Sequence, residues 1–210
     1  MSDAPSRQLL HTREVVCSGY LRSDGLFDIE ARLLDTKAER FELPFRTFGA
    51  GEPLHQMRLR LTVDRTLVIR ECEAVTEAAP TPWCHEINSA YAALVGLRIG
   101  PGFKKRALAV IGGVRGCTHL TELLGPLATT AFQAVGSVLM ADAQKPGDIS
   151  PRQWVVDGCH AYRADGEVAR RLLAAEAERA GTTPTDTGGS AESESAPHGG
   201  GDCPREPRNH

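Results

Sequence analysis

Residues 55–63 read HQMRLRLTV, and in them Met57, Leu59, Leu61 and Val63 alternate with Gln56, Arg58, Arg60 and Thr62. A period of two puts the apolar set on one face and the polar set on the other, as in a strand buried on one side only. Residues 26–35 repeat the pattern, with Phe27, Ile29, Ala31 and Leu33 against Asp28, Glu30 and Arg32. A short turn at Asp64-Arg65 leads into TLVIRECEAV, which predicts a hairpin over 55–75. Residues 13–21, REVVCSGYL, make a weaker fourth strand. Segment 36–54 shows no periodicity, carries Gly49 and Gly51, and reads as a loop.

After Pro80 and Pro82 the period lengthens. Ile87, Tyr91, Leu94 and Val95 fall on one face of a helix that should stop near Gly96 or Gly100. A Gly-rich stretch follows, GPGFKKRALAVIGGVRG, whose ALAVI reads as a short buried strand or an extended connector. A second helix starts around Thr118. Its apolar stripe runs through Leu120, Leu123, Leu124, Leu127, Ala131, Ala134, Val135 and Val138, with a kink or break expected at Gly125-Pro126. A last amphipathic helix over 166–179 carries Val168, Leu172 and Leu173. Strands first and helices after predict an α+β fold, an antiparallel sheet from the N-terminal half with the C-terminal helices packed on one face.

Apolar residues make up 41% of the 210 and charged residues 24%, enough for a core without disulfides or metal to hold it. Residues 1–180 read as a single domain. Residues 181–210 contain no large aliphatic or aromatic side chain and read as a disordered acidic and polar tail, so Cys203 and His198 are set aside. The net charge is −3 with Lys and Arg dispersed, and Lys104-Lys105-Arg106 reads as a solvated loop; a nucleic-acid partner is not expected. The N-terminus is polar and no apolar run approaches the roughly 20 residues needed to span a bilayer. The expectation is a cytoplasmic protein, without a membrane partner, whose six cysteines stay reduced.

The chemistry-bearing signal is GGVRGCTHLTELL, residues 112–124. Glycines bring the backbone into a tight turn, and Cys117 falls at a helix N-terminus with Arg115 close by. Free N–H groups and positive charge favour a thiolate, which suits a nucleophile or a soft metal ligand. His119 follows two residues on, with Glu122 one turn further on the same face. His55 shares the inward parity of Met57 and Leu59, and an inward imidazole needs a partner or a metal. Cys84-His85 and Cys159-His160 are further thiol–imidazole pairs, whereas Cys17 and Cys72 sit in strands as core or surface thiols. No G-x-S-x-G elbow, Walker A loop, H-E-x-x-H or G-x-G-x-x-G fingerprint occurs.

The run from LHQMRLRLTVD, through Cys84 and LVGLRIGPGF, to GGVRGCTHLTELLGPLATTAFQ resembles the bacterial domain-of-unknown-function family 2889. The resemblance covers most of residues 7–165, and G-C-T-H-L is its most specific part. It implies a bacterial cytoplasmic protein and the domain's extent, without a mechanism. A looser similarity is to iron–sulfur scaffold proteins, which also run from antiparallel strands into helices and place Gly-Cys before a helix. Their three-cysteine pattern is missing here.

Three function classes fit these residues. The favoured one is a metal-binding protein, extending to a metal-dependent enzyme on a small molecule, with zinc or iron held by His55, Cys84, Cys117 and His119. A second is a cysteine-dependent ester or thioester hydrolase. Cys117 would be its nucleophile, His119 or His55 the base, Arg115 the charge that lowers the thiol pKa, and N–H groups near Gly116 the oxyanion donors. A third is a non-catalytic binding or accessory module in which the cysteines only pack.

Overall fold

A computed structural model describes residues 5–141 and 155–179. The expected tail lies outside these described residues. The two alternating segments form the central strands, β2 (Phe27–Lys37) and β5 (Pro53–Val63), paired antiparallel with Ile29 opposite Leu61 and Leu33 opposite Met57. β1 (His11–Leu21) adds to β2 and β6 (Ile69–Ala78) to β5, giving a sheet of order β1-β2-β5-β6. Phe27, Ile29, Ala31, Leu33, Met57, Leu59, Leu61 and Val63 all face the core and are buried. The other face stays in water, covered by cross-strand polar contacts such as Arg60 with Glu73, Arg58 with Glu77 and Thr62 with Asp28.

The β5–β6 turn is organised by Asp64, whose carboxylate accepts the N–H groups of Thr66 and Val68 and the Thr66 hydroxyl. Leu67 adopts a positive φ of 62° there, a costly conformation for a branched side chain, and its complete burial offsets the strain.

Segment 36–54 is not a plain loop. β3 (Phe41–Leu43) and β4 (Arg46–Phe48) pair in a small hairpin anchored by buried Phe48. Strands of three residues are too short to show a period, so the sequence conceals them.

The first predicted helix is a 3₁₀ helix, Asn88–Leu94. Its three-residue period keeps Tyr91 and Leu94 in the core and leaves Val95 turned out. ALAVI is neither strand nor connector but part of α1 (Phe103–Ile111), and the basic triplet lies in its first turn rather than in a loop. Phe103, Ala107 and Ile111 recur every four residues on its buried face, while Leu108 and Val110 stay partly exposed. A short apolar run cannot by itself distinguish the two geometries.

From α1 the chain folds back through a single 3₁₀ turn, Gly113–Arg115, into α2 (Thr118–Glu122). A Cβ on Gly116 would sit 2.1 Å from the Ile111 carbonyl oxygen, so only glycine allows this return. α3 (Leu124–Ala141) follows after a break at Leu123, ahead of Pro126. Its buried stripe of Leu124, Leu127, Ala131, Val135 and Leu139 lies across β1 and β2. At the crossing Ala134 comes within 2.6 Å of where a Cβ of Gly19 would be. Thr118–Ala141 is long and apolar enough to cross a membrane by length and composition. Within this span the stripe of Leu124, Leu127, Ala131, Val135 and Leu139 is packed on the sheet. α4 (Glu167–Arg179) buries Ala169, half-buries Leu172 and Leu173, and leaves Val168 partly exposed. The fold is therefore α+β, an antiparallel sheet from the N-terminal half with helices in the C-terminal half, of which α2 and α3 pack on its inner face.

Candidate metal centre

Strand register assembles the site. Arg13 on β1 stands opposite Asp35 on β2, and Asp35 opposite His55 on β5, one row at one end of the sheet. Asp35 continues the inward series Phe27, Ile29, Ala31, Leu33, so the apolar face ends in a carboxylate that is only 1% exposed. A register shift follows between Asp35 and Thr36. α2 brings His119 over this row, and the His55 and His119 rings stack with centroids 3.7 Å apart at 29°.

Asp35 is the hub. Arg13 donates Nε–H to its Oδ1 at 2.7 Å and Nη2–H to its Oδ2 at 2.8 Å, a bidentate pair. His55 Nδ1 lies 3.0 Å from Oδ2, His119 Nε2 lies 3.9 Å from Oδ2, and His11 Nε2 lies 3.4 Å from Oδ1. Arg13 also reaches outward through Nη1 to Glu122 Oε2 at 2.5 Å.

Burial pushes the Asp35 carboxyl up, but the Arg13 hydrogen bonds and charge, aided by His55 and His11, outweigh it and hold it below the usual range. Burial pushes His55 down and the neighbouring His119 adds to the effect, against the pull of Asp35. Burial, then the charge of Arg13, likewise lowers His119. Both shifts favour the neutral imidazole, the form that binds a metal.

Among the described residues, one ligand atom each from Asp35, His55 and His119 lies within 4.8 Å of the other two. Ligands bound at about 2.0–2.2 Å stand about 3–3.5 Å from one another. The contacts of 3.0 and 3.9 Å from Asp35 Oδ2 are near that spacing. For both rings to reach one ion they must splay from their stack.

The sequence-predicted residues divide. His55 and His119 belong to this group. Cys117 is adjacent, with Sγ 4.0 Å from His119 Nδ1, the ring nitrogen opposite the one that faces Asp35. One imidazole cannot offer both nitrogens to a single ion, so Cys117 and Asp35 do not share a metal through His119 in this pose. Tyr91, fully buried, pins the Cys117 backbone by donating to its carbonyl at 2.8 Å and accepting its N–H at 3.1 Å. Cys84 is engaged elsewhere, its thiol 3.0 Å from Thr81 Oγ1. Arg115 donates to the carbonyls of Ala109 and Val110, capping the end of α1. Cys159 is exposed, and burial raises Cys17 and pushes Cys72 up to about 12, which leaves both as inert packing thiols.

Asp35, His11 and Arg13 escaped the sequence reading. Strand parity carried the signal for Asp35, which lies two residues past Leu33 on the same face, where a carboxylate demands partners.

A family model described as a protein of unknown function (DUF2889) matches residues 11–133, a span that contains the whole cluster. No curated protein and no solved structure matches the chain, so the looser likeness to iron–sulfur scaffolds finds no support.

Proposed function

The chain belongs to the DUF2889 family of proteins of unknown function, and from that premise we propose that it binds a divalent transition-metal ion, zinc or iron, through Asp35, His55 and His119. One observation carries the reading. Two buried side chains and a third from a separate helix bring ligand atoms within 4.8 Å of one another, although Arg13 alone already satisfies the charge of Asp35. A carboxylate buried for structure needs no stacked pair of neutral imidazoles beside it. Two histidines and one carboxylate suit zinc or non-haem iron, and three protein ligands leave positions open for water or substrate. That is the donor set of a catalytic centre rather than a closed structural one, and it supports a metal-dependent enzyme acting on a small molecule. The described cysteines are all unpaired, which suits a reducing, cytoplasmic compartment.

Metal analysis of tag-free protein purified without chelator tests this. We expect one equivalent of zinc or iron, lost in His55→Ala and His119→Ala. Cys84→Ser, Cys117→Ser and Cys159→Ser should keep it. Metal-free wild type that also fails to take up added zinc or iron would overturn the proposal.

A second reading rests on His119 standing between a thiol and a carboxylate, with Nδ1 toward Cys117 and Nε2 toward Asp35. This is the order of nucleophile, base and orienting group in a cysteine hydrolase. Both spacings, 4.0 and 3.9 Å, are longer than working hydrogen bonds, which places it behind the metal reading. Rapid alkylation of Cys117 in metal-free protein, slowed in His119→Gln, would promote it.

A further inference from the structure

The sheet end that carries Asp35 and His55 also launches two loops. The 38–52 excursion leaves β2 after Lys37 and returns to β5 at Pro53, two residues before His55. The other loop leaves β6 at Ala78, whose register partner is Gln56, next to His55. These loops flank the start of β5 on either side, and each presents one large aromatic side chain to water. Phe45 is 59% exposed and Trp83 55% exposed, yet their rings meet edge to face at 5.2 Å, joining the two loops. Phe27, Phe48 and Tyr91, by contrast, are fully buried. An exposed aromatic pair held at the sheet end that also carries a polar cluster has the composition of a binding-site wall.

The charges around the cluster specify the other half of a ligand. Arg13 neutralises Asp35, so a bound divalent ion would keep nearly its full charge. Together Arg13 and the ion would outweigh Asp35 and Glu122. Glu122 is half exposed, and its carboxylate rests on the outermost nitrogen of Arg13, a place that a ligand carboxylate can take in exchange.

We propose that this end of the sheet binds a small organic acid with an aromatic or bulky apolar body. Its carboxylate is drawn to the metal and Arg13, and its body lies against Phe45 and Trp83. This rests on the metal reading above and names the substrate class of the same site.

Calorimetry on the zinc-loaded full chain tests it with three probes, benzoate, acetate and benzyl alcohol, after zinc stoichiometry has been measured separately. Benzoate should bind about tenfold more tightly than acetate, which lacks the body, or benzyl alcohol, which lacks the acid. In Phe45→Ser/Trp83→Ser, benzoate should fall to the level of acetate while zinc stoichiometry stays at wild type. Both side chains are exposed, so the variant should fold, and its circular dichroism melt confirms that. Glu122→Gln should bind benzoate more tightly, and stripping the zinc should abolish binding. Zinc bound with benzoate no better than acetate, or with no change in the double variant, overturns the ligand assignment and leaves the metal site standing. Failure to bind zinc overturns both.

Discussion

β5 has a carboxylate at each end, and the two are built differently. Past its last residue, Asp64 takes its bonds from Thr66, Val68 and Arg70, all within six residues along the chain. Beside its first residues, Asp35 takes its partners from positions 20 or more away, on β1, β5 and α2. Titration behaviour does not separate them. Burial pushes both carboxyls up, and hydrogen bonds hold both below their usual range, from Arg13 at Asp35 and from Thr66, Val68 and Arg70 at Asp64. The origin of the partners does separate them. A carboxylate satisfied by its own turn shapes the backbone, whereas one that gathers an arginine and histidines from distant elements has been supplied beyond structural need.

The largest expected effect sharpens this contrast directly. His55→Ala should weaken zinc binding by about a hundredfold or more, measured by calorimetric titration against a chelator. Asp64→Asn should leave it unchanged. If the two variants lost zinc equally, the distinction between the ends of β5 would collapse.

Next in size is Arg13→Ala, which leaves Asp35 buried without its cation. The cost should be about 2–3 kcal/mol at pH 7 by urea unfolding, less than for a fully buried pair because Arg13 is partly solvated. Arg13 depresses the folded pKa of Asp35 below the 3.8 of a free aspartate, so its stabilisation is complete above that pH and lost as pH falls through the folded value. The gap between variant and wild type should therefore shrink in strong acid.

How far the sequence foretold these two ends follows from the reach of each signal. The strands containing Met57–Val63 and Phe27–Leu33 were legible because alternation is local and long enough to count. The pairing of Asp35 with Arg13 and His55 is a matter of register, which no single strand reveals. Cys84 and Cys117 stand out in the sequence because thiols before helices are conspicuous in one dimension. Asp35 looked like the polar end of a strand, although its parity placed it inward. The β3–β4 hairpin was too short to show a period, and α1 hid in an apolar run that fits either geometry.

A smaller effect is expected at the other end of β5. Asp64→Ala removes the acceptor for two backbone N–H groups in the turn and should cost about 1–2 kcal/mol, with zinc affinity intact. A loss of metal in this variant would mean that the turn and the cluster are coupled along the strand.

The smallest effect is a pH dependence of the metal-free protein. His55 and His119 have folded pKa values below the 6.5 of a free imidazole, so the unfolded chain takes up protons first on acidification. Stability from these groups is full above 6.5 and declines as pH falls toward the folded values. Melting temperatures recorded downward from about pH 7.5 should fall, and more steeply than in His55→Gln/His119→Gln. Equal slopes would show that the pair is indifferent to its charge state.

The register shift after Asp35 isolates the row below it from the loop above. Asp35 faces His55, but the next residue, Thr36, faces Pro53, so the ladder absorbs one extra residue at the mouth of the 38–52 excursion. A slip of one position inside the ladder would turn Asp35 to the opposite face. Because the irregularity lies beyond Asp35, the excursion can lengthen, shorten or be exchanged without transmitting such a slip to the donors below. The hairpin bearing Phe45 is then a replaceable cassette on a fixed chassis, free to change length while Arg13, Asp35 and His55 keep their common row.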